Sequence, residues 1–138
     1  MASAFLHGNL NNMTREVIST ENAPAAIGPY SQGIRAEGRF VFFSGQIPLT
    51  PKGDLVQGDI KVQTDQILTN INGLLDAAGL TPENVVKTTI FLSSMDHFAA
   101  MNEVYGKFFG ANPPARSTVA AAGLPRGVDI EIEVLAVY

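Results

Sequence analysis

The sequence predicts an α+β fold of two layers, in which two helices cover one face of a mixed six-stranded sheet. Two amphipathic helical patterns, each followed by a glycine, alternate with segments rich in β-branched and aromatic residues. Each helix is long enough to return the chain for a parallel neighbouring strand. A chain of 138 residues fits one domain. We place that domain at residues 13–138 and expect residues 1–12, which are mostly small or polar, to be a disordered leader.

The first predicted elements are strands. Residues 15–18 have the composition of a short strand. Residues 32–36 and 39–46 flank Glu37-Gly38, where glycine can adopt the positive φ of a tight turn, so a β-hairpin is predicted. Its second arm contains Phe40-Val41-Phe42-Phe43, which is apolar on both faces. Such a strand is expected to be covered on both sides.

Two helices are predicted from apolar side chains at helical spacing. The first lies between Asp59 and Ala78 and ends at Gly79, which can adopt the left-handed conformation. The second begins after possible capping residues at 93–96 and ends at Gly110. The buried stripes are predicted to comprise Ile67, Ile71, Leu74, Leu75 and Ala78 in the first helix, and Phe98, Met101, Tyr105, Phe108 and Phe109 in the second.

Three further strands are predicted at residues 85–92, 115–121 and 128–138. The last strand alternates two sets of side chains. One face carries Ile130, Ile132, Val134 and Ala136, and the other carries Glu131, Glu133, Leu135 and Val137. If the helices cover the first face, Leu135 and Val137 need cover that a second copy of the chain could supply.

The composition narrows the classes of function. Apolar residues make up 46% and charged residues only 16% of the chain, which favours an oligomer with covered outer surface. The net charge is −4, and the nine Lys and Arg residues are scattered, so nucleic acid is a disfavoured partner. No cysteine is present, and no apolar run reaches the length of a membrane span. A cytoplasmic location is the default expectation, with import into an organelle left open.

Arg116 is the first candidate for a functional residue, because it is a fixed cation entering an otherwise apolar strand. It could bind a carboxylate through two parallel hydrogen bonds, or it could form a structural ion pair with Glu131 or Glu133. Glu131 could hold a water molecule as a general base, or it could be one more polar residue on a strand face. Tyr30 could donate to a ligand or anchor a turn, and Asn102 could be a helix-surface residue.

Several other kinds of site find little support. His7 and His97 lack the spacing of a metal pair or a catalytic triad, so both are interpreted as surface residues. Ser44 lacks the G-x-S-x-G pattern of a serine hydrolase. Lys87 could form a Schiff base, although a lysine on the outer face of a sheet is commoner. Glycine-rich phosphate loops are absent from the sequence, so no nucleotide cofactor is predicted.

Several blocks along the chain together carry a resemblance to one family. They are Asn22-Ala23-Pro24-Ala25-Ala26-Ile27-Gly28-Pro29-Tyr30-Ser31-Gln32, Ser44-Gly45-Gln46-Ile47-Pro48, Val86-Lys87-Thr88-Thr89, Met101-Asn102-Glu103-Val104-Tyr105, Pro114-Ala115-Arg116-Ser117 and Ile130-Glu131-Ile132-Glu133. In this order and at these separations they closely resemble the Rid family (RidA-type proteins, formerly YjgF). The resemblance covers nearly all of residues 13–138.

This resemblance implies a chorismate-mutase-like fold and a homotrimer with three ligand clefts between adjacent subunits. It implies hydrolysis of 2-imino acids, such as 2-iminopropanoate and 2-iminobutanoate, to 2-keto acids and ammonia, without cofactor or metal. The same cleft would also suit a non-catalytic metabolite-binding or regulatory trimer. An endoribonuclease or translation inhibitor is a third, less favoured alternative, because the basic residues are not clustered.

Roles for individual residues also follow from the resemblance alone. Arg116 would bind the substrate carboxylate, assisted by the backbone amide of Thr118 and the backbone of Gly45. Glu131 would orient the attacking water. The remaining cleft residues would be Tyr30, Ser44 and Asn102. The chain departs from the family where Thr118 replaces a common cysteine, and where Ala120 and Gly123 replace a glutamate and an arginine. Thr118 keeps its backbone amide, so loss of the thiol is not expected to abolish ligand binding. Ala120 and Gly123 remove a possible ion pair near the cleft rim, which bears on substrate range or subunit contacts.

Overall fold

The computed structural model describes residues 15–138; the predicted leader at 1–12 and the domain start at residue 13 lie outside the described residues. Among residues 15–138, six strands and two α-helices confirm the predicted α+β class. The strands are β1 (Arg15–Ile18), β2 (Gly33–Ala36), β3 (Phe40–Gln46), β4 (Val85–Leu92), β5 (Ala115–Ala120) and β6 (Ile130–Val137), and the helices are α1 (Ile60–Ala77) and α2 (Phe98–Phe109). Short 3₁₀ turns lie at Pro82–Asn84, Met95–His97 and Pro125–Gly127.

The strands are hydrogen-bonded in two groups. Four of them form a mixed sheet in the order β3-β6-β4-β5, in which only β4 and β5 run parallel. The other two, β1 and β2, form an antiparallel ribbon. Within this ribbon Arg35 lies opposite Glu16 and forms an ion pair with it at 2.8 Å. The crossover from β4 through α2 to β5 therefore supplies one of the two parallel pairs that the helix lengths predicted. The other prediction is wrong, because β6 lies between β3 and β4, the two strands that α1 connects.

The predicted hairpin between β2 and β3 is wrong, because β2 pairs with β1 and β3 pairs with β6. Gly38 adopts a φ of +138°, and a side chain there would overlap the carbonyl oxygen of Tyr138. Immediately after this turn Arg39 exchanges backbone hydrogen bonds with Tyr138. The turn therefore directs the chain onto the C-terminal strand instead of back along β2.

Local sequence explains where both helices begin and end. The Asp59 carboxylate caps α1 by accepting a hydrogen bond from the Val62 amide at 3.0 Å. Gly79, at a φ of +75°, lies just beyond the end of α1. Ser94 caps the 3₁₀ turn that leads into α2, and Gly110 ends α2 at a φ of +72°. These helix limits confirm the predictions made from the sequence.

Both helices pack on one face of the four-stranded sheet. The core on this face includes Ile67, Leu68, Ile71 and Leu75 of α1, Met101 and Tyr105 of α2, Ile90 and Leu92 of β4, and Ile130 and Ile132 of β6. All of these side chains are at most 3% exposed. The strand residues in the core alternate along the chain, so the intervening residues of β4 and β6 lie on the opposite face.

That opposite face of the sheet is open within one chain. Phe42 is 76% exposed on β3, and Phe40 is also exposed. Leu135 is half-buried, whereas Val137 is only 2% exposed, so the prediction that Val137 needs outside cover is wrong. The turn at Gly38 covers Val137, since a Cβ placed on Gly38 would lie 3.2 Å from its Cγ1 atom. The uncovered apolar surface is therefore centred on β3.

No helix among residues 15–138 combines the length and the apolar character that crossing a bilayer requires.

Candidate functional site

Arg116 on β5 lies against three aromatic rings. Its guanidinium carbon Cζ is 5.0 Å from the centroid of the Tyr105 ring, 5.3 Å from that of Tyr30 and 5.5 Å from that of Phe98. Its Nη1 donates a 2.7 Å hydrogen bond to Oδ1 of Asn102. These distances are within the range of cation–π attraction. The guanidinium is thus held by aromatic faces and one neutral amide.

The helix α2 contributes most of this environment. Phe98, Asn102 and Tyr105 follow one another at intervals of four and three residues, so they share one face of the helix. Arg116 lies opposite Thr88 in the parallel pairing of β5 with β4, and Thr88 is fully buried on the helix side of the sheet. Residues opposite each other on neighbouring strands point to the same face. Arg116 therefore extends toward α2 rather than toward the open face.

Tyr30 reaches this environment from the loop before β2. The backbone amide of Ser31 donates to the carbonyl of Pro114, and its hydroxyl donates to the carbonyl of Pro113. These two hydrogen bonds fix the loop beside the segment that leads into Arg116. A Cβ placed on Gly28 would lie 3.6 Å from the Tyr30 ring and 3.8 Å from Nη2 of Arg116. The Gly28 backbone thus borders the guanidinium as well.

The alternative in which Arg116 forms an ion pair with Glu131 or Glu133 is wrong within one chain. The contacts between basic and acidic side chains among residues 15–138 join Arg35 to Glu16, Lys61 to Glu103 and His97 to Asp129, and none of them involves Arg116. Burial lowers the pKa of Arg116 from its ordinary value, yet an arginine remains charged at any physiological pH. A half-buried cation is left without an anionic partner.

A second group of candidate residues, the Glu131 cluster, comprises Glu131, the neighbouring Gly45, and Ser44, which precedes Gly45 on β3. The pairing of β3 with β6 passes from Phe43 opposite Val134 to Gln46 opposite Ile132, so β3 has one extra residue at Ser44-Gly45. A Cβ placed on Gly45 would overlap Oε2 of Glu131 and lie 3.1 Å from its Cδ. The bulge therefore brings the Gly45 backbone directly against the Glu131 carboxyl group.

The two clusters lie on opposite faces of the sheet. Glu131 is opposite Phe91 on β4, in the set of residues that alternates with the core. Arg116 belongs to the helix side, and β4 separates the two strands that carry these residues. Two strand spacings alone amount to about 9–10 Å. One chain thus brings Arg116, Tyr30 and Asn102 together and places Glu131, Ser44 and Gly45 elsewhere.

Thr118 is two residues beyond Arg116 on β5 and points to the same face. Its hydroxyl oxygen is buried and has no hydrogen-bond partner within residues 15–138. The Thr118 side chain therefore lies on the same face of β5 as Arg116, while the role of its backbone amide in carboxylate binding stays a prediction.

The other residues weighed as candidates lie outside both clusters. Lys87 is exposed on the open face, 3.4 Å from the Ser117 hydroxyl. His97 lies 3.8 Å from the Asp129 carboxylate, whose pKa is lowered by hydrogen bonds from Ser93 and Gln63. Across the described part of the chain, no three His, Asp or Glu side chains are grouped so as to hold a metal ion.

Sequence reasoning assigned Tyr105 and Phe98 to the core stripe and missed their contact with Arg116. The signal was their spacing relative to Asn102, which places all three on one helical face. Thr88 was also missed, because only the register of β4 with β5 shows that it lies opposite Arg116 on the neighbouring strand.

Fold and site together define an α+β protein with a half-buried cation that has no acidic partner among residues 15–138 and is suited to a small anionic ligand. Comparison with known proteins gives the family. A family model described as Endoribonuclease L-PSP matches residues 20–138. A RutC family protein of Pyrococcus horikoshii is 54% identical over 123 residues, which are 88% of this chain and 97% of the relative. The chain therefore belongs to this family, the Rid family.

Two further relatives carry names that bear on function or fold. An Escherichia coli protein named 2-iminobutanoate/2-iminopropanoate deaminase is 47% identical over 125 residues, covering 88% of this chain and 97% of the relative. A crystal structure of a Rid-family protein of unknown function from Yersinia pestis has a TM-score of 0.80 at 35% identity, covering 91% of this chain and all of that chain.

Proposed function

We propose that this protein hydrolyses small 2-imino acids to 2-keto acids and ammonia, in clefts formed between neighbouring chains of a homotrimer. The observation that carries the proposal is Arg116, a half-buried cation with no carboxylate partner among residues 15–138. A 2-imino acid has a carboxylate next to its reactive carbon. Relatives named 2-iminobutanoate/2-iminopropanoate deaminase support this choice of substrate. A cytoplasmic location stays a prediction.

Binding of the substrate carboxylate is the first step. Asn102 occupies one N–H group of the Arg116 guanidinium, which leaves others for a two-point hydrogen bond to a carboxylate. The rings of Tyr30, Phe98 and Tyr105 exclude water on several sides, which strengthens the attraction between the charges. The imine carbon, one bond from the carboxylate, is then fixed in space.

Hydrolysis of the fixed imine needs an oriented water. Glu131 accepts a proton from this water while the water oxygen bonds to the imine carbon. Glu131 passes this proton to the nitrogen, and the hydroxyl of the resulting tetrahedral intermediate gives up the second proton to the nitrogen as the carbonyl forms. The C–N bond then breaks and ammonia leaves, so the reaction consumes one water and needs no covalent enzyme intermediate. Because imines are already electrophilic, positioning of the two reactants supplies most of the required acceleration.

Two chains are needed because Arg116 and Glu131 lie on opposite faces of one sheet. The open face that carries Glu131 also exposes Phe42 and Phe40, an apolar surface suited to burial against another copy. We therefore propose that Arg116 of one chain and Glu131 of the next line each cleft.

The activity is tested by generating the imine with a threonine dehydratase and following release of 2-ketobutyrate. The protein is expected to accelerate release over the buffer rate, and Arg116→Ala to abolish the acceleration. Arg35→Ala is the matched control, because Arg35 is an exposed arginine of the β1–β2 ribbon whose ion pair is with Glu16. No acceleration by the protein, or full activity of Arg116→Ala, would contradict the proposal.

The shared cleft is tested by mixing two inactive variants. Arg116→Ala and Glu131→Gln chains are unfolded together, refolded and assayed. If each site takes Arg116 and Glu131 from different chains, about a quarter of the sites in random mixtures contain both native residues and regain activity. If both residues of a site came from one chain, the mixture would stay inactive.

The family description as an endoribonuclease names a second activity. The net charge is −4 and the basic residues are scattered singly along the sequence, so the sequence contains no basic cluster that would bind a phosphate backbone. Cleavage of RNA by a nuclease-free preparation, retained in Arg116→Ala, would favour that activity instead. Binding of 2-ketobutyrate without turnover would favour the metabolite-binding alternative.

A further inference from the structure

A buried hydrogen bond lies directly behind Arg116. The hydroxyl groups of Thr88 and Tyr105 are 2.7 Å apart, and both side chains are fully buried. Tyr105 belongs to α2 and Thr88 to β4, so this hydrogen bond joins the helix layer to the sheet. The ring of Tyr105 is also the aromatic face nearest to the Arg116 guanidinium, at 5.0 Å.

We infer that the Thr88–Tyr105 pair is a positioning device that fixes the orientation of the Arg116 guanidinium for its carboxylate ligand. The inference rests on the proposed function, because it assigns Arg116 to ligand binding. Neither hydroxyl touches the ligand. The pair acts by holding the ring on which the guanidinium lies.

The register of the sheet supports this role. Thr88 is the residue opposite Arg116 in the pairing of β4 with β5. The strand that holds the backbone of Arg116 in place therefore also supplies the hydroxyl that holds the ring under its side chain. Asn102, one turn before Tyr105 on α2, binds Nη1 of the same guanidinium. The Asn102 amide and the Tyr105 ring, both on α2, thus orient the guanidinium, and the Thr88–Tyr105 hydrogen bond fixes α2 relative to β4 at this point.

The pair is also chemically suited to a fixed orientation. Burial raises the pKa of Tyr105 to about 12, opposed in part by the hydrogen bond to Thr88 and the charge of Arg116. The phenol therefore stays neutral at physiological pH and the hydrogen bond persists. The Tyr105 side chain is held at one end by the backbone of α2 and at the other by the hydrogen bond of its hydroxyl group. It is therefore already ordered before a ligand binds, and its ordering costs little conformational entropy at that moment.

Ordinary packing of a core tyrosine is the competing explanation, and double substitution separates the two. Thr88→Val and Tyr105→Phe each leave one buried hydroxyl without a partner, so each is expected to lower stability. The double variant removes both hydroxyl groups while keeping the side-chain shapes, so its stability should recover. The anchoring of the ring remains lost. A positioning role therefore predicts recovered stability without recovered ligand affinity.

The experiment measures the Kd for 2-ketobutyrate by calorimetry and stability by urea denaturation. Each single variant and the double variant are expected to bind about fivefold to tenfold more weakly than the unmodified protein. Thr64→Val is the matched control. Thr64 is equally buried and donates to the carbonyl of Ile60 within α1, away from Arg116, so this variant should lose stability without losing affinity. Unchanged affinity of the double variant would overturn the inference, as would an equal loss in Thr64→Val.

A second measurement keeps this test separate from the test of function. Hydrogen exchange at the Nε–H group of Arg116 is followed by NMR without ligand, with the signal assigned by its loss in Arg116→Lys. Exchange is expected to quicken about tenfold in the double variant and to stay unchanged in Thr64→Val. If the unmodified protein fails to bind 2-ketobutyrate or to hydrolyse imines, the proposed function fails, and the exchange rates still decide the positioning role. Equal rates in the unmodified protein and the double variant refute it.

Discussion

The contact between Gly45 and Glu131 allows the role of Glu131 to be tested without changing Glu131 itself. A methyl group at position 45 would overlap Oε2 of Glu131 and lie 3.1 Å and 3.3 Å from its Cδ and Cγ. The overlapping atoms are the far end of a flexible side chain, so the carboxyl group can move aside. We predict that Gly45→Ala moves the Glu131 carboxylate while leaving the backbone of the bulge in place.

The size of the effect follows from the displacement. To restore an ordinary van der Waals contact, the carboxylate oxygen has to move by about 1 Å, and a misplacement of this size can lower a rate about a hundredfold. The cost in folding stability is that of an unfavourable side-chain rotamer, about 0.5–1.5 kcal/mol. Imine hydrolysis is therefore expected to fall by about two orders of magnitude in a protein that remains folded.

The assay measures kcat/KM and the urea midpoint for four variants: Gly45→Ala, Gly123→Ala, Glu131→Asp and the double variant of Gly45 and Glu131. Gly123→Ala is the matched control, because a Cβ at position 123 meets no atom within 4 Å. This variant is expected to be as active as the unmodified protein. Glu131→Asp shortens the side chain and vacates the space. In the Gly45→Ala/Glu131→Asp double variant, the alanine should therefore cost almost nothing beyond the loss in Glu131→Asp. Full activity of Gly45→Ala, or strictly multiplicative losses in the double variant, would refute this account of Gly45.

Three other substitutions have defined outcomes. Gly73→Ala should raise stability by about 0.5–1 kcal/mol in urea denaturation without changing activity, because Gly73 lies inside α1 and a Cβ there meets nothing within 4 Å. Asp129→Asn should destabilise the protein at pH 7. Hydrogen bonds from Ser93 and Gln63 lower the pKa of the Asp129 carboxyl group, so its stabilisation is present at neutral pH and disappears as the pH falls through that lowered pKa. The difference between the two proteins should accordingly shrink below about pH 4. Arg116→Lys should lose most deaminase activity while remaining folded, because an ammonium group cannot replace the planar fork of the guanidinium; activity near that of the unmodified protein would contradict two-point binding.

Local sequence was sufficient for the helices and insufficient for strand pairing. The carboxylate of Asp59 and the positive φ of Gly79 act within a few residues of the ends of α1, so the sequence contains the information. The Glu37-Gly38 pair also signalled a turn correctly. The partner of the next strand, however, depends on Tyr138 at the other end of the chain, and no local pattern shows that contact.

The candidate site was predictable in part for the same reason. The resemblance identified Arg116, Tyr30 and Asn102, which the structure brings together. Alternation along β6 placed Glu131 away from the core, but the face of Arg116 stayed undetermined until β5 was aligned with β4. The contact of Tyr105 with Arg116 likewise depends on how α2 docks against the sheet.

The separation of the two clusters ties the proposed chemistry to association of the chain. Changes of side-chain rotamer cannot unite Arg116 with Glu131, because β4 and the thickness of the sheet lie between them. A second chain placed against the open face would meet the exposed Phe42 and the Glu131 cluster together. The same contact that buries the apolar surface would then complete the site. If the free energy of burial and the assembly of the site come from one contact, as proposed, a variant such as Phe42→Asp should lose association and activity in parallel.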